Sequence, residues 1–312
     1  MIKKIILKQF RNHKHLELEF NKPFVYIHGN NGIGKTSILE GIYFCATTKS
    51  HRSSDEKELI YKGEPFASVK LWTETDKYDL VLSKTGKRAS INNIEKRRMS
   101  DFIGHLSVVM FAPEDLDLIK GSPATRRQFL DLEWMQLDKG YLRHLNLYKH
   151  ILKQRNALLK KIKLGDDETF LNILGEQLYD VGIQIIEARR KFIDQLNQYI
   201  KEVYPKFSTH HMELIYEPDV EIQAYKKHLT KQQKQDILYQ TTLAGPHRDD
   251  FYIAFNGFDA KSYASQGEQR LMVVALKLGL LKLIEATTQK QVCLLLDDVL
   301  SELDQEKQAL FL

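Results

Sequence analysis

Gly29-Asn30-Asn31-Gly32-Ile33-Gly34-Lys35-Thr36 fits the pattern G-x-x-x-x-G-K-[ST] at every position, and Ser37 follows it. Residues of these types at this spacing bind phosphate. The glycines let the backbone curl until successive N–H groups point inward, and the following helix adds its positive N-terminal end. Lys35 is suited to reach the outer phosphates, and the Thr36 hydroxyl to ligate a divalent cation. A second stretch, Val292-Cys293-Leu294-Leu295-Leu296-Asp297-Asp298, reads as a buried strand that delivers two carboxylates at its C-terminal end. Parallel α/β sheets gather their ligands there. Asp297 suits the cation, and Asp298 suits a general base that polarises water. The two stretches together predict a site for ATP and Mg²⁺.

Ser265-Gln266-Gly267-Glu268-Gln269-Arg270 opens an apolar helix shortly before that strand. Taken alone it fits an ordinary helix cap by Ser265. An unrelated P-loop kinase or GTPase has no need of such a turn, whereas ABC-type ATPases do. There the serine, the glycine N–H and the helix N-terminus meet the γ-phosphate of ATP held by a second subunit. Beyond Asp298, Ser301-Glu302-Leu303-Asp304 looks like the D-loop of the same superfamily. Four motifs in this order resemble an ABC-type ATPase head.

Further segments narrow the resemblance. Lys8-Gln9-Phe10-Arg11-Asn12 looks like the F-R-N segment of SMC-like DNA-repair ATPases, in which the arginine contacts bound nucleotide. Ser50-His51-Arg52 with Lys57-Glu58-Leu59-Ile60, Phe111-Ala112-Pro113-Glu114-Asp115-Leu116 running to Gly121-Ser122-Pro123 and Arg126-Arg127, and Gly245-Pro246-His247-Arg248-Asp249-Asp250 are similar to the RecF family. That resemblance spans the whole chain. It implies ATP contacts from Arg11 and, across a dimer, from Ser265, Gly267 and Gln269. It also implies ATP-dependent homodimerisation on gapped or single-stranded/double-stranded DNA junctions, and a role in recombinational repair with RecR, RecO and the recombinase RecA. Too few residues separate Thr36 from Ser265 for the long coiled-coil arms of true SMC proteins. Three departures stand out. Asp298 occupies a place where many ABC ATPases carry glutamate; RecF proteins look the same here, its shorter side chain predicts slow hydrolysis, and the resemblance implies that DNA stimulates it. No Q-loop glutamine is evident, and Pro113-Glu114 takes its place. The sequence stops at Ala309-Leu310-Phe311-Leu312 in an apolar helical pattern, which predicts a truncated chain.

The elements that must position these residues follow from periodicity. Short apolar runs at Ile2–Leu7, Leu16–Phe20 and Phe24–His28 read as strands leading into the loop, and Lys35–Thr47 as the helix behind it. Ala67–Thr73 and Tyr78–Ser83 alternate like half-buried strands. Residues 124–204 recur at helical spacing with few glycines or prolines, with a break at Leu164–Asp167. Leu271–Ile284 predicts an apolar helix, and residues 213–240 resist assignment. The fold class is α/β: an ABC/SMC-type P-loop ATPase head with an inserted helical lobe. Residues 1–110 and 241–312 form the ATPase lobe, and residues 111–240 the mainly helical insert.

Composition sets the outer bounds. The 312 residues are 43% hydrophobic and 28% charged, the balance of a globular protein, with no run of apolar residues long enough to span a membrane. The N-terminus lacks a signal-peptide pattern, so the expected location is the cytoplasm. Cys45 and Cys293 are far apart in apolar segments, which argues against a disulfide or a zinc site. The net charge of +5 is compatible with a nucleic-acid partner. Its distribution says more. Arg143, Lys149, Lys153, Arg155, Lys160, Lys161 and Lys163 lie in one stretch free of acids, with Lys149, Lys153 and Lys160 on one helical face. Lys84, Lys87, Arg88, Lys96, Arg97 and Arg98 form a second cluster. Such surfaces suit DNA backbones, and they equally suit a plain solvated face. Two other readings stay open at this level: an ABC-type ATPase coupled to a non-DNA partner, and a non-catalytic nucleotide-binding scaffold.

Overall fold

The structure, a computed structural model, describes residues 1–53, 55–163 and 165–298. Ser301–Asp304 and the terminal apolar stretch therefore lie outside the described residues. The chain divides into two compact units, 1–115 with 280–312, and 116–279.

In the first unit β1 (Ile2–Phe10) and β2 (His13–Glu19) form a hairpin joined by Arg11 and Asn12. After the glycine-rich loop comes α1 (Lys35–Thr47), which coincides with the helix expected from the sequence. Strands β3 (Phe66–Thr73), β4 (Lys77–Ser83), β5 (Gly86–Ile91) and β6 (Ile94–Lys96) complete an antiparallel sheet of order β2-β1-β3-β4-β5-β6. Tyr78, Leu80 and Leu82 of β4 are buried while the residues between them are not, the period-2 pattern of a sheet with one face on the core. Ile5, Leu7, Val69, Leu71 and Leu80 pack with Ile42, Phe44 and Cys45 of α1. Strand β7 (Val108–Phe111) is buried along its whole length, as strands covered on both faces are.

The second unit begins with α2 (Asp117–Lys120) and α3 (Pro123–Leu137). Ser122 caps α3 by accepting from the Thr125 N–H, and Pro123 fills the first turn, where no N–H is needed. Next come α4 (Lys139–Leu159) and α5 (Thr169–Val203), separated near the expected break. Along α5, Leu171, Leu174, Leu178, Ile185, Phe192, Leu196 and Ile200 make one buried stripe at helical spacing. β8 (Met212–Glu217) and α6 (Ile222–Tyr239) occupy the stretch the sequence left unassigned. Then follow β9 (Asp250–Phe255), β10 (Phe258–Asp259), α7 (Ala260–Tyr263) and α8 (Gln266–Thr288). β11 (Cys293–Leu296) returns to the first unit and pairs in parallel with β7. Among the described residues no helix is long and apolar enough to cross a membrane.

Two sequence expectations differ from what is seen. The boundary after the helical insert falls at Gly279 and not at residue 240, because β9 pairs antiparallel with β8 and Gly279 packs on Ile200 and Leu196 of α5. The signature turn 265–270 thus belongs to the helical unit. The run Phe24–His28 is not a strand: residues 21–30 carry no regular structure, and Phe24, Val25 and Tyr26 are exposed. An apolar run becomes a strand only where another strand offers its backbone groups, and none pairs with it among the described residues.

Candidate nucleotide site

The loop from Gly29 to Gly34 is held from two sides. Gly34 sits at φ 104°, and a Cβ there would collide with Asn12 and His13, so this position needs glycine both for conformation and for space. The Asn12 amide donates to the Gly32 carbonyl at 3.2 Å, and His13 Nε2 donates to the Gly34 carbonyl at 3.1 Å. Behind the loop, the first turn of α1 carries Lys35, Thr36 and a buried Ser37. Lys35 Nζ donates to the carbonyls of Gly29 at 2.6 Å and Asn30 at 3.1 Å, which keeps the ammonium over the loop. Asn30, Asn31, Gly32 and Ile33 are exposed at its crest.

The second carboxylate stretch meets this helix. The Asp297 N–H donates to the Phe111 carbonyl at 2.9 Å, which extends the β7–β11 pairing by one residue. This sets the Asp297 carboxylate 3.0 Å from the Thr36 hydroxyl, which donates to it. Burial is the main reason the Asp297 carboxyl lies above its ordinary value. Glu114 and Asp298 add repulsion, while Thr36 and Arg52 pull the other way. Asp298 is exposed at φ 56°, and Glu114 Oε1 lies 3.4 Å from Arg52 Nε. A hydroxyl and a carboxylate in contact, with further acids close by, suit a magnesium ion. Such an ion takes one or two protein ligands and fills its shell with phosphate and water.

Arg11, expected to reach nucleotide, is engaged elsewhere. Its backbone is at φ 53°, and its guanidinium makes a two-point contact with Glu40 of α1 at 2.8 and 2.7 Å, with a third bond to the Glu58 carbonyl at 3.2 Å. Glu40 is fully buried and accepts a further bond from the Ser50 hydroxyl at 2.6 Å. Burial pushes the Glu40 carboxyl up, but Arg11 and Ser50 outweigh it and hold the group below its ordinary value. Asn12 was read only as part of the F-R-N segment, and His13 and Glu40 were not singled out from sequence. Their signal lay beside the F-R-N segment and one turn into α1, where a buried glutamate demands a cation.

In the second unit Ser265 and Gly267 are exposed at the start of α8. Gln269 is buried, and its Nε2 donates to the carbonyls of Ala260 at 3.1 Å and Ala264 at 3.0 Å, so its side chain shapes the turn from inside. Lys149, Lys153 and Lys160 are exposed, as are Arg97 and Arg98 of the other cluster. Lys160 lies just past the end of α4. Two members of the basic stretch are paired with carboxylates of the protein, one in the core and one at the surface. Arg155 is fully buried, 2.7 Å from Asp236 and 2.8 Å from Thr242 Oγ1, and the exposed Lys149 ammonium is 3.3 Å from Asp131. His247 is also a packing residue: its Nδ1 accepts from the Tyr148 hydroxyl at 2.7 Å and its Nε2 donates to the Thr242 carbonyl at 3.0 Å.

Comparison with known proteins shows the family. Residues 1–312 match the family described as RecF/RecN/SMC N terminal domain. The chain is 58% identical over 312 residues to the DNA replication and repair protein RecF of Acholeplasma laidlawii, covering 100% of this chain and 89% of that one. It is 40% identical over 315 residues to the protein of the same name from Streptococcus pneumoniae, covering 97% and 86%. Among solved structures, the recombination mediator protein RecF with ATP superposes with a TM-score of 0.93 at 34% identity, over 99% of this chain and 87% of that one. A phosphate loop braced by its own hairpin, a carboxylate delivered beside it, and sequence and structural similarity along the whole length lead to one assignment: the chain belongs to the RecF family of SMC-like ATPase heads.

Proposed function

We propose that this protein is an ATP-switched DNA-binding protein of recombinational repair, with slow, DNA-stimulated hydrolysis that resets the switch. The observation that carries the reading is the Thr36–Asp297 hydrogen bond, which joins the first turn of α1 to the end of β11. In this reading Gly29 to Gly34 cradle the phosphates of ATP with their N–H groups, and Lys35 leaves its loop carbonyls to pair with phosphate oxygens. Thr36 and Asp297 hold Mg²⁺, which supplies charge neutralisation on the phosphates. Asp298 orients water and accepts its proton, and Arg11 acts at one remove by fixing the hairpin that carries Asn12 and His13. Ser265 and Gly267 meet the γ-phosphate held by a second copy, so two chains close around two ATP molecules and around DNA at a gap. The name and ATP-bound state of the relatives support this reading. RecR, RecO and RecA are the proposed partners, carried over from the resemblance to the family.

The test is molecular mass by light scattering with and without ATP–Mg²⁺ and gapped duplex DNA. The expected outcome is a monomer that becomes a dimer with ATP, more fully with DNA. Lys35→Met abolishes that shift, and Ser265→Arg abolishes it while keeping ATP affinity within about twofold, a few tenths of a kcal/mol. A monomer under every condition removes the dimer mechanism. A dimer that is indifferent to DNA favours coupling to another partner.

A further inference from the structure

The start of α8 is closed by its own side chains. Ser265 Oγ accepts from the Glu268 N–H at 3.3 Å, and Glu268 Oε2 accepts from the Ser265 N–H at 2.7 Å. This is a reciprocal capping box, and it satisfies two of the donors that a helix start leaves over. The bonds from Ser265 hold the Glu268 carboxyl below its ordinary value. The second oxygen, Oε1, lies 3.6 Å from His210 Nε2. The tautomer of that histidine is fixed by its surroundings. The His211 N–H donates to Asn256 Oδ1 at 2.9 Å, which turns the Asn256 amide NH₂ toward His210 Nδ1 at 3.1 Å. Nδ1 therefore accepts, and the ring proton sits on Nε2, facing Glu268. The His210 ring packs at 4.9 Å on Phe255 of β9. Glu268 Oε1 thus sits beside the His210 ring without a hydrogen bond to it, while a Cβ built on Gly267 meets nothing within 4 Å, leaving its backbone open to approach.

We infer that Glu268, through its reciprocal bonds with Ser265, is a positioning residue for the phosphate-sensing turn: it fixes the Ser265 hydroxyl and the Gln266 and Gly267 N–H groups in the geometry that receives the γ-phosphate from a second copy of this chain. The inference rests on the dimer reading above. What the turn requires of residue 268 is reach and an acceptor oxygen, not negative charge. Glutamine provides both, aspartate is one methylene too short, and alanine provides neither. The charge itself faces an incoming anion, so its removal in Glu268→Gln does not weaken the contact.

The experiment measures ATP affinity, ATP-dependent dimerisation and turnover on the full chain for Glu268→Ala, Glu268→Asp and Glu268→Gln. The expected result is ATP affinity within about twofold of wild type in all three, as the P-loop lies elsewhere in the sequence. Dimerisation and kcat fall about tenfold in the Ala and Asp variants, the size of one lost capping interaction, and stay at wild-type level in Gln. A merely structural cap predicts instead that the variants lower the melting temperature while dimerising normally below it, and that outcome overturns the inference. Equal loss in Gln and Ala overturns it too, because charge would then be what matters. A wild-type chain that binds ATP without associating removes the dimer reading and this inference with it. A wild-type dimer left unchanged by Glu268→Ala removes the inference alone.

Discussion

Arg11 keeps a left-handed backbone conformation that non-glycine residues rarely hold, and such positions persist only where the surroundings over-determine them. Here the two-point contact with Glu40 does so. Arg11 is partly accessible and Glu40 fully buried, so loss of the arginine strands a carboxylate in the core. Arg11→Ala is expected to destabilise the protein by about 3 kcal/mol, the range for breaking a buried ion pair from one side. The double variant Arg11→Ala/Glu40→Gln recovers much of that, because a neutral amide can keep the Ser50 bond without a counter-charge. Urea unfolding with parallel ATP titrations checks this. If stability recovers and ATP affinity does not, Arg11 touches nucleotide directly. If both recover, its part is to brace the hairpin.

At the scale of elements, α4 shows why a charge count misleads. Its buried positions Leu145, Tyr148, Ile151, Arg155 and Leu159 follow helical spacing, and one of them is a cation. Arg155 belongs to the core with Asp236, while Lys153 and Lys160 face solvent and Lys149 shares its ammonium with Asp131. Lys153→Ala and Lys160→Ala are each expected to reduce the salt dependence of DNA binding, with the slope of log K against log salt shallower by about 0.9 per lost phosphate contact. Lys149→Ala changes it less, and Arg155→Ala shows itself in unfolding, since Asp236 is left buried and unpaired. Binding measured between low and moderate salt separates these outcomes. Unchanged slopes for Lys153 and Lys160 would assign the DNA face elsewhere, with the Arg97–Arg98 cluster next in line.

At the scale of the whole molecule, the largest buried charge network described in the helical unit centres on Arg189. Arg189 lies 2.9 Å from both Asp131 and Asp249, donates to the Pro246 carbonyl at 2.6 Å and to the Tyr141 hydroxyl at 3.1 Å. Asp249, fully buried, also accepts from the Tyr216 hydroxyl and the Asp219 N–H. Burial pushes the Asp131 carboxyl up, yet Arg189 and Lys149 outweigh it, and the group stays below its ordinary value of 3.8. A depressed carboxylate adds stability that is complete above the unfolded value and fades as pH falls through the folded one. The gap in unfolding free energy between wild type and Asp131→Asn is therefore expected to be constant from pH 8 to about 5 and to narrow below about 4. Urea midpoints across that range test it. A gap independent of pH would mean that the charge on Asp131 contributes nothing.

The sequence by itself determined the chemistry and most of the elements. The phosphate loop, α1 to the residue, β3, β4, α8 and β11 were legible because each follows a local rule: glycine placement, period 2 or helical spacing. Only the tertiary structure decided who pairs with whom. Glu40 answers Arg11 across 29 positions, and Asp297 answers Thr36 across 261. Arg155 turns inward although its neighbours in sequence look like a solvated basic face, and Arg189 of α5 is buried as well. Residues 241–279 join the helical unit because β9 finds its partner in β8, and the Phe24–His28 run stays outside any strand because its hydropathy predicts burial without naming a partner. Local pattern records what a segment tends toward. Hydrogen-bond partners, counter-charges and the division into units depend on segments remote in sequence, and those are fixed only when the chain folds.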